Sequence, residues 1–178
     1  MIDRFRSIVV GLSVIVLVAL ISLYLVVQIG GGEDIFGESE GSLPPVDFAQ
    51  LNYNADDSGY LLCPEGTCDQ AVPDGVSPLF NVNQSRLRQL FIDFADTNPT
   101  VNTFRFDLRA SQFDFTEKMP GQPFPAVVTV KIIKVDDYSS TAAIYSRQPV
   151  GSSEKSDHME RVTRWLRVLL ETTNGLAT

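Results

Sequence analysis

The run from Ile8 to Ile29, IVVGLSVIVLVALISLYLVVQI, carries no charged side chain over 22 positions. As a helix rising 1.5 Å per residue it would reach about 33 Å, against a bilayer hydrocarbon core of roughly 30 Å. The sequence therefore predicts a single transmembrane helix inside an N-terminal anchor spanning residues 1–29. Arg4 and Arg6 stand before the run, whereas Glu33, Asp34, Glu38 and Glu40 follow it. The positive-inside rule then places the N-terminus in the cytoplasm and the remainder outside. A cleaved signal peptide is disfavoured, because its apolar region normally covers about 7 to 15 residues and ends in a small-residue cleavage pattern. Gln28-Ile29-Gly30-Gly31-Gly32 has no such pattern, and no cysteine near it offers a lipidation point. The expected location is the bacterial inner membrane, crossed once, with the domain in the periplasm.

Residues 30–45, GGGEDIFGESEGSLPP, are too rich in glycine, serine and carboxylates to bury a core of their own. They read as an acidic Gly/Ser linker. Residues 46–172 remain for the exported domain, enough for one hydrophobic core. From Gly30 onward there are 21 acidic and 12 basic residues. That charge repels nucleic acid, so no nucleic-acid partner is expected.

Within the domain the apolar periodicity changes twice. Leu87, Leu90, Phe91 and Phe94 fall at i, i+3, i+4 and i+7 behind Asn83, predicting a capped helix from Gln84 to about Asn98. Phe104, Phe106 and Leu108 then alternate with Arg105 and Asp107, predicting a strand that buries its aromatic face. Phe113 and Phe115 extend the pattern past a bend. Ala126 to Val135 is rich in β-branched residues, and Thr141 to Ser146 return after Asp136-Asp137, giving an antiparallel pair. A last helix is predicted from about Asp157 to Thr172, with Val162, Trp165, Leu166 and Leu169 as its apolar stripe. Asp157 with Glu160, or Ser156, would serve as its cap. The fold class is thus α+β: a short antiparallel sheet packed against two helices, behind one transmembrane helix.

Few residues offer chemistry. Cys63 and Cys68 flank Pro64 and Gly66, a turn able to bring the sulfurs together. A local disulfide is the leading reading, with two free thiols as the alternative. The spacing is not the C-x-x-C of a redox pair, and a structural metal site would need more ligands than these cysteines and the distant His158 supply. No metal and no cofactor are expected. The chain has one histidine, so a hydrolytic centre would have to use His158 as its base, with Ser146, Ser152, Ser153 or Ser156 as nucleophile. No G-x-S-x-G elbow, phosphate loop, dinucleotide fingerprint or H-E-x-x-H is present. That leaves Arg147, Glu154 and Arg161, with Arg164 nearby, where a strand end meets a helix start. These could grip a small anion through a guanidinium fork and free helix N–H groups. The simpler reading is that they clamp the turn, Arg147 or Arg161 pairing with Glu154.

The same stretch resembles a family of small bacterial and plastid proteins known as domain of unknown function 1499 (DUF1499). The hallmark of that family is a strand ending in Tyr-Ser-Arg-Ser-Arg-x-Gly, followed by Ser-Asp, an Asn, Arg and Trp-Leu. Without a gap it falls on Tyr145, Ser146, Arg147, Gly151, Ser153, Arg161 and Trp165-Leu166. Asp47-Phe48 with Leu51, the Cys63-Pro64-x-Gly-x-Cys68 turn, Ser77-Pro78 and Phe124-Pro125 are similar as well. Four positions depart from it: Gln148 and Pro149 replace a serine and an arginine, Glu154 replaces an aspartate, and His158 replaces an asparagine. The resemblance covers residues 46–170 and implies an exported or anchored domain; it implies no reaction. The expectation for function is a membrane-anchored envelope protein acting as an interaction or accessory module, more in keeping with a non-enzyme, with a membrane protein as the candidate partner. A binding protein for a small anion at Arg147/Glu154/Arg161 and a hydrolase using His158 are the alternatives.

Overall fold

A computed structural model describes residues 16, 17, 22 and 43–175 of the chain. The predicted anchor at 8–29 lies outside the described residues except for positions 16, 17 and 22, which are helical, and almost all of the linker lies outside them too. Among the described residues no helix is long and apolar enough to cross a membrane.

The elements in order are β1 (Tyr60–Cys63), β2 (Gly75–Val76), α1 (Gln84–Thr97), β3 (Val101–Asp107), β4 (Gln112–Glu117), β5 (Ala126–Lys134), β6 (Ser140–Arg147) and α2 (Lys155–Gly175). They form one six-stranded sheet ordered β2-β1-β6-β5-β4-β3, with two helices. Every pairing is antiparallel except β1 with β2. The domain is therefore α+β with a mostly antiparallel sheet.

Six strands replace the three expected, for local reasons. Phe113 and Phe115 belong to a separate strand, because the Asp107 carboxylate accepts the N–H groups of Arg109 and Ala110 and Ser111 takes φ 50°, which reverses the chain. Tyr60-Leu61-Leu62-Cys63 shows no alternation because Leu61, Leu62 and Cys63 are all buried. The sheet has a core on each face. On one, Leu62, Phe113, Phe115, Val128, Val130 and Ile144 meet the stripes of α1 and α2, with the Trp165 ring 4.8 Å from Phe94 and 5.6 Å from Phe115. On the other, Leu61, Cys63 and Ala143 lie under the segment bearing Val46, Phe48 and Tyr53. Burial on both faces is why the first half of β5, Ala126 to Val130, shows no clean alternation. Each large side chain so buried contributes about 1.5–3 kcal/mol.

The expectation for β3 is corrected. Phe104, Phe106 and Leu108 are 48%, 45% and 55% exposed. β3 is the outermost strand, and its register slips between Thr103 and Arg105, leaving Phe104 as an extra residue in a bulge. On the far side of that slip Arg105 turns toward Asp114, 3.2 Å away.

The covering segment is tied to the start of α2. Asp74 accepts the Tyr53 hydroxyl and the Leu61 N–H, and pairs with Lys155. Lys155 donates to the Ala55 carbonyl at 2.7 Å and stands over the Tyr53 ring. Burial first, and Asp74 second, push the Tyr53 hydroxyl far above its ordinary pKa, so it stays a donor. At Gly59 the Ser146 carbonyl and Tyr145 ring come within 2.9 Å of where a Cβ would sit, so only glycine fits.

Cys63 and Cys68 form a disulfide, both ends buried. It closes a short loop, for which chain entropy predicts about 2 kcal/mol. Reduction should lower the unfolding free energy from a urea titration by that amount, without loss of the sheet signal in far-UV circular dichroism.

Candidate functional site

The turn after β6 is built to hold α2 against the sheet. Gly151 takes φ 83°, and a Cβ there would meet the Phe124 ring at 3.1 Å. The Gln148 amide reaches the carbonyls of Val150 (2.9 Å), Pro125 (3.2 Å) and Phe124 (3.3 Å), so this side chain holds the turn to the β4–β5 loop. α2 begins at Lys155, two residues before the predicted start, and Asp157 reaches back to the Glu154 N–H at 3.4 Å. With that start, His158, Arg161, Val162 and Trp165 lie at i, i+3, i+4 and i+7. The two polar residues thus continue the buried apolar stripe.

Their burial is made possible by a carboxylate that sequence reasoning missed. Glu117, the last residue of β4, is 2% exposed. Its oxygens meet Arg161 Nε at 2.9 Å, Arg164 Nη2 at 2.6 Å and the Trp165 indole N–H at 3.3 Å. Beyond Arg161, His158 is wholly buried, with Nδ1 2.8 Å from Ser146 Oγ and 3.0 Å from Arg161 Nη1, and Nε2 2.6 Å from Ser153 Oγ. The signal for Glu117 was in the alternation itself: Phe113 and Phe115 point inward, so Glu117 must too, and a buried carboxylate requires partners.

The network fixes the histidine's proton. A guanidinium only donates, so Nδ1 must accept from Arg161, and the neutral ring carries its hydrogen on Nε2. Nε2–H then donates to Ser153 Oγ, while Ser146 gives its hydroxyl hydrogen to Nδ1. Burial, reinforced by the Arg161 charge and only partly opposed by Asp157, lowers the His158 pKa to about 4. Burial likewise lowers that of Arg161, against the pull of Glu117. At neutral pH His158 is an uncharged donor toward Ser153, the wrong polarity for a base that would take that serine's proton, while Ser146, whose hydroxyl does donate to Nδ1, is fully buried and out of a substrate's reach.

The predicted site residues do not converge. Arg161 is at the centre of the network, paired with Glu117 and not with Glu154. Glu154 is exposed and accepts the Ser156 hydroxyl at 3.3 Å. Arg147 leaves β6 on the face opposite Ser146, with its guanidinium 5.7 Å from the Tyr145 ring centre.

Beside the network runs a groove between the β4–β5 loop and the β6–α2 turn. Two hollows of about 190 Å³ and 360 Å³ share Gln122 and Asp157. The walls include Pro123, Phe124 and Val150, with Ser153 at the base and the carboxylates of Asp157 and Glu160 on the rim. Gln122 Oε1 is buried without a hydrogen-bond partner. Ser153, accepting from His158, keeps its own hydroxyl hydrogen for an occupant. Arg161 and Arg164 also line the smaller hollow, but both are engaged by Glu117. Their two positive charges face three carboxylates, so the groove suits neutral or cationic groups better than anions.

No family model matches the chain, and no curated protein does. Two solved structures are similar at 13% identity: an uncharacterised protein from Bacillus thuringiensis and the protein XoxI from Bacillus cereus. The first has a TM-score of 0.42, covering 55% of this chain and 96% of its own; the second has 0.41, covering 58% and 96%. Likeness at that level carries no inference about function.

Proposed function

We propose that the chain is a single-pass, inner-membrane protein whose periplasmic domain acts as an interaction module, receiving its partner in the groove beside α2. The observation that carries this reading is the groove's unmet bonding capacity: the Gln122 carbonyl oxygen, the Ser153 hydroxyl hydrogen and the exposed Phe124 and Val150 side by side. The uncharged run at 8–29 supports the anchor, and the acidic flank after it supports the orientation. Membership of the DUF1499 family belongs to the same proposal. It is supported by the way four hallmark positions, Ser146, Ser153, Arg161 and Trp165, share one hydrogen-bonded network. The anion-binding reading is weakened by the groove's charge, and the hydrolase reading by the histidine tautomer toward Ser153 and by the burial of Ser146.

The experiment is co-purification of the full chain from membranes in mild detergent, with the wild type beside a Phe124→Ser/Val150→Ser variant. Both side chains are exposed, so the fold should survive. A partner retained by the wild type and lost from the variant is the expected result. A reproducible partner that the variant retains, or none at all, would defeat the proposal.

A further inference from the structure

The larger hollow of the groove, about 360 Å³, offers an occupant more acceptors than donors. Gln122 Oε1 is buried with no hydrogen-bond partner among the described residues. The Gln148 amide nitrogen faces the carbonyls of Phe124, Pro125 and Val150, which only accept, so its Oε1 points away from them. Asp157 uses one carboxylate oxygen on the Glu154 N–H at 3.4 Å and has the other to offer. Against these stands one directed donor, the Ser153 hydroxyl hydrogen, since Ser153 Oγ accepts from His158 Nε2 at 2.6 Å. The exposed Ser152 hydroxyl can turn in either sense. The apolar wall is a fixed platform. The Phe124 ring is 44% exposed, yet the Gly151 backbone passes so close behind it that a Cβ there would lie 3.1 Å away. Gln148 holds the Phe124 carbonyl, and the exposed Val150 lines the same hollow.

We infer that this hollow receives one saccharide unit of an uncharged glycan. Its hydroxyl groups donate to Gln122, Gln148 and Asp157, one of its oxygens accepts from Ser153, and its C–H face lies on the Phe124 ring. The inference deepens the groove reading above and rests on it. The balance of hydrogens selects this chemistry first. A peptide unit brings one carbonyl for each N–H and would turn acceptors toward acceptors, whereas a hydroxyl donates and accepts at the same atom. Charge selects against an ion of either sign. Asp157, the one charged residue among the described residues lining this hollow, repels an anion. The N-terminal end of α2, in whose first turn Asp157 lies, opposes a cation. Size agrees: the volume sits near the lower end of the roughly 300–1,000 Å³ typical of small-molecule sites, enough for a ring and too little for a helix. An apolar wall facing a few convergent polar groups is the usual make-up of such a site.

The full chain, in dodecylphosphocholine micelles so that no sugar-based detergent competes, is titrated with chitotriose, maltotriose, mannotriose and galactotriose by saturation-transfer NMR. At least one of these should bind with a dissociation constant of about 1 mM or tighter. Phe124→Ala should weaken that binding about tenfold. Gln122→Leu should weaken it roughly three- to tenfold, the worth of one uncharged hydrogen bond. Tyr138→Ser, in the exposed β5–β6 turn at the other end of these strands, should leave it unaltered. Far-UV circular dichroism should be the same for all three variants, and trialanine should not bind. If none of the four sugars binds, or if Phe124→Ala binds as the wild type does, the inference is overturned. Trialanine binding that Phe124→Ala abolishes, with no sugar bound, would put a peptide in the hollow and overturn it as well. A co-purified partner lost from Phe124→Ser/Val150→Ser while no sugar binds leaves the groove reading standing and the saccharide refuted. No sugar bound and no partner lost refutes both.

Discussion

Replacing Glu117 by alanine should cost the domain about 3–5 kcal/mol, the usual penalty for leaving one half of a buried ion pair uncompensated. Arg161 is 3% exposed and would lose the carboxylate it is paired with, while Trp165 would lose the acceptor for its indole N–H. Domains of this size are stable by about 5–15 kcal/mol, so the variant should sit near the edge of folding. The measurement is urea denaturation of the full chain in micelles, followed by circular dichroism and by Trp165 fluorescence, with the midpoint falling at constant slope. Arg164 is partly exposed, and its removal should cost 1 kcal/mol or less, as for other solvent-screened pairs. Replacing Glu117 and Arg161 together by leucine and methionine should restore part of the loss, because no charge is then stranded. A loss below about 1 kcal/mol for Glu117→Ala would show that the network does not hold α2 to the sheet.

Acid should weaken the domain through His158 before its carboxylates titrate. The imidazole has an ordinary pKa of 6.5, and burial beside Arg161 lowers it to about 4 in the folded chain. The unfolded chain therefore binds this proton more readily. The contribution to stability is fully present above pH 6.5 and is lost as pH falls from 6.5 toward 4. At 1.36 kcal/mol per pKa unit, that is about 3 kcal/mol in all. Protonation would place a second cation 3.0 Å from the Arg161 guanidinium, with Asp157 the nearer compensating charge and Glu117 already engaged. In His158→Asn, which keeps an acceptor and a donor but cannot titrate, stability should be nearly flat between pH 6.5 and 5. Parallel pH profiles for the two proteins would contradict the assignment of this proton.

The pattern of apolar residues disclosed both helices and the two central strands to within a few residues, because one face of each element is committed to a core. It misjudged β3, where alternation promised a buried aromatic face. Alternation marks which side chains share a face, not whether anything covers that face, and an outermost strand with a bulge has no second neighbour to do so. β1 escaped notice for the opposite reason, since burial on both faces erases the period. In the site, the turn and Arg161 were legible as an arginine near a helix start. Its partner was not, because Glu117 is 44 positions away and reaches it only through the pairing of β4 with β5 and β5 with β6. Strand alternation, legible in the sequence, is what turns Arg147 to the other face from Ser146.

The place of β1 bears on how the domain can be made. Its sheet neighbours are β2 and β6, with Tyr60 opposite Ser146, so the first strand of the domain needs one of the last as its template. Lys155 likewise reaches back 100 residues to Ala55. If the domain emerges from a membrane in sequence order, residues 46–63 have only β2 and the segment before it to pair with until β6 and the start of α2 follow. Contacts of that sequence separation close slowly. Closure of the domain would then report that translocation is almost finished, and truncation before β6 would leave β1 without the strand that joins it to the rest of the sheet.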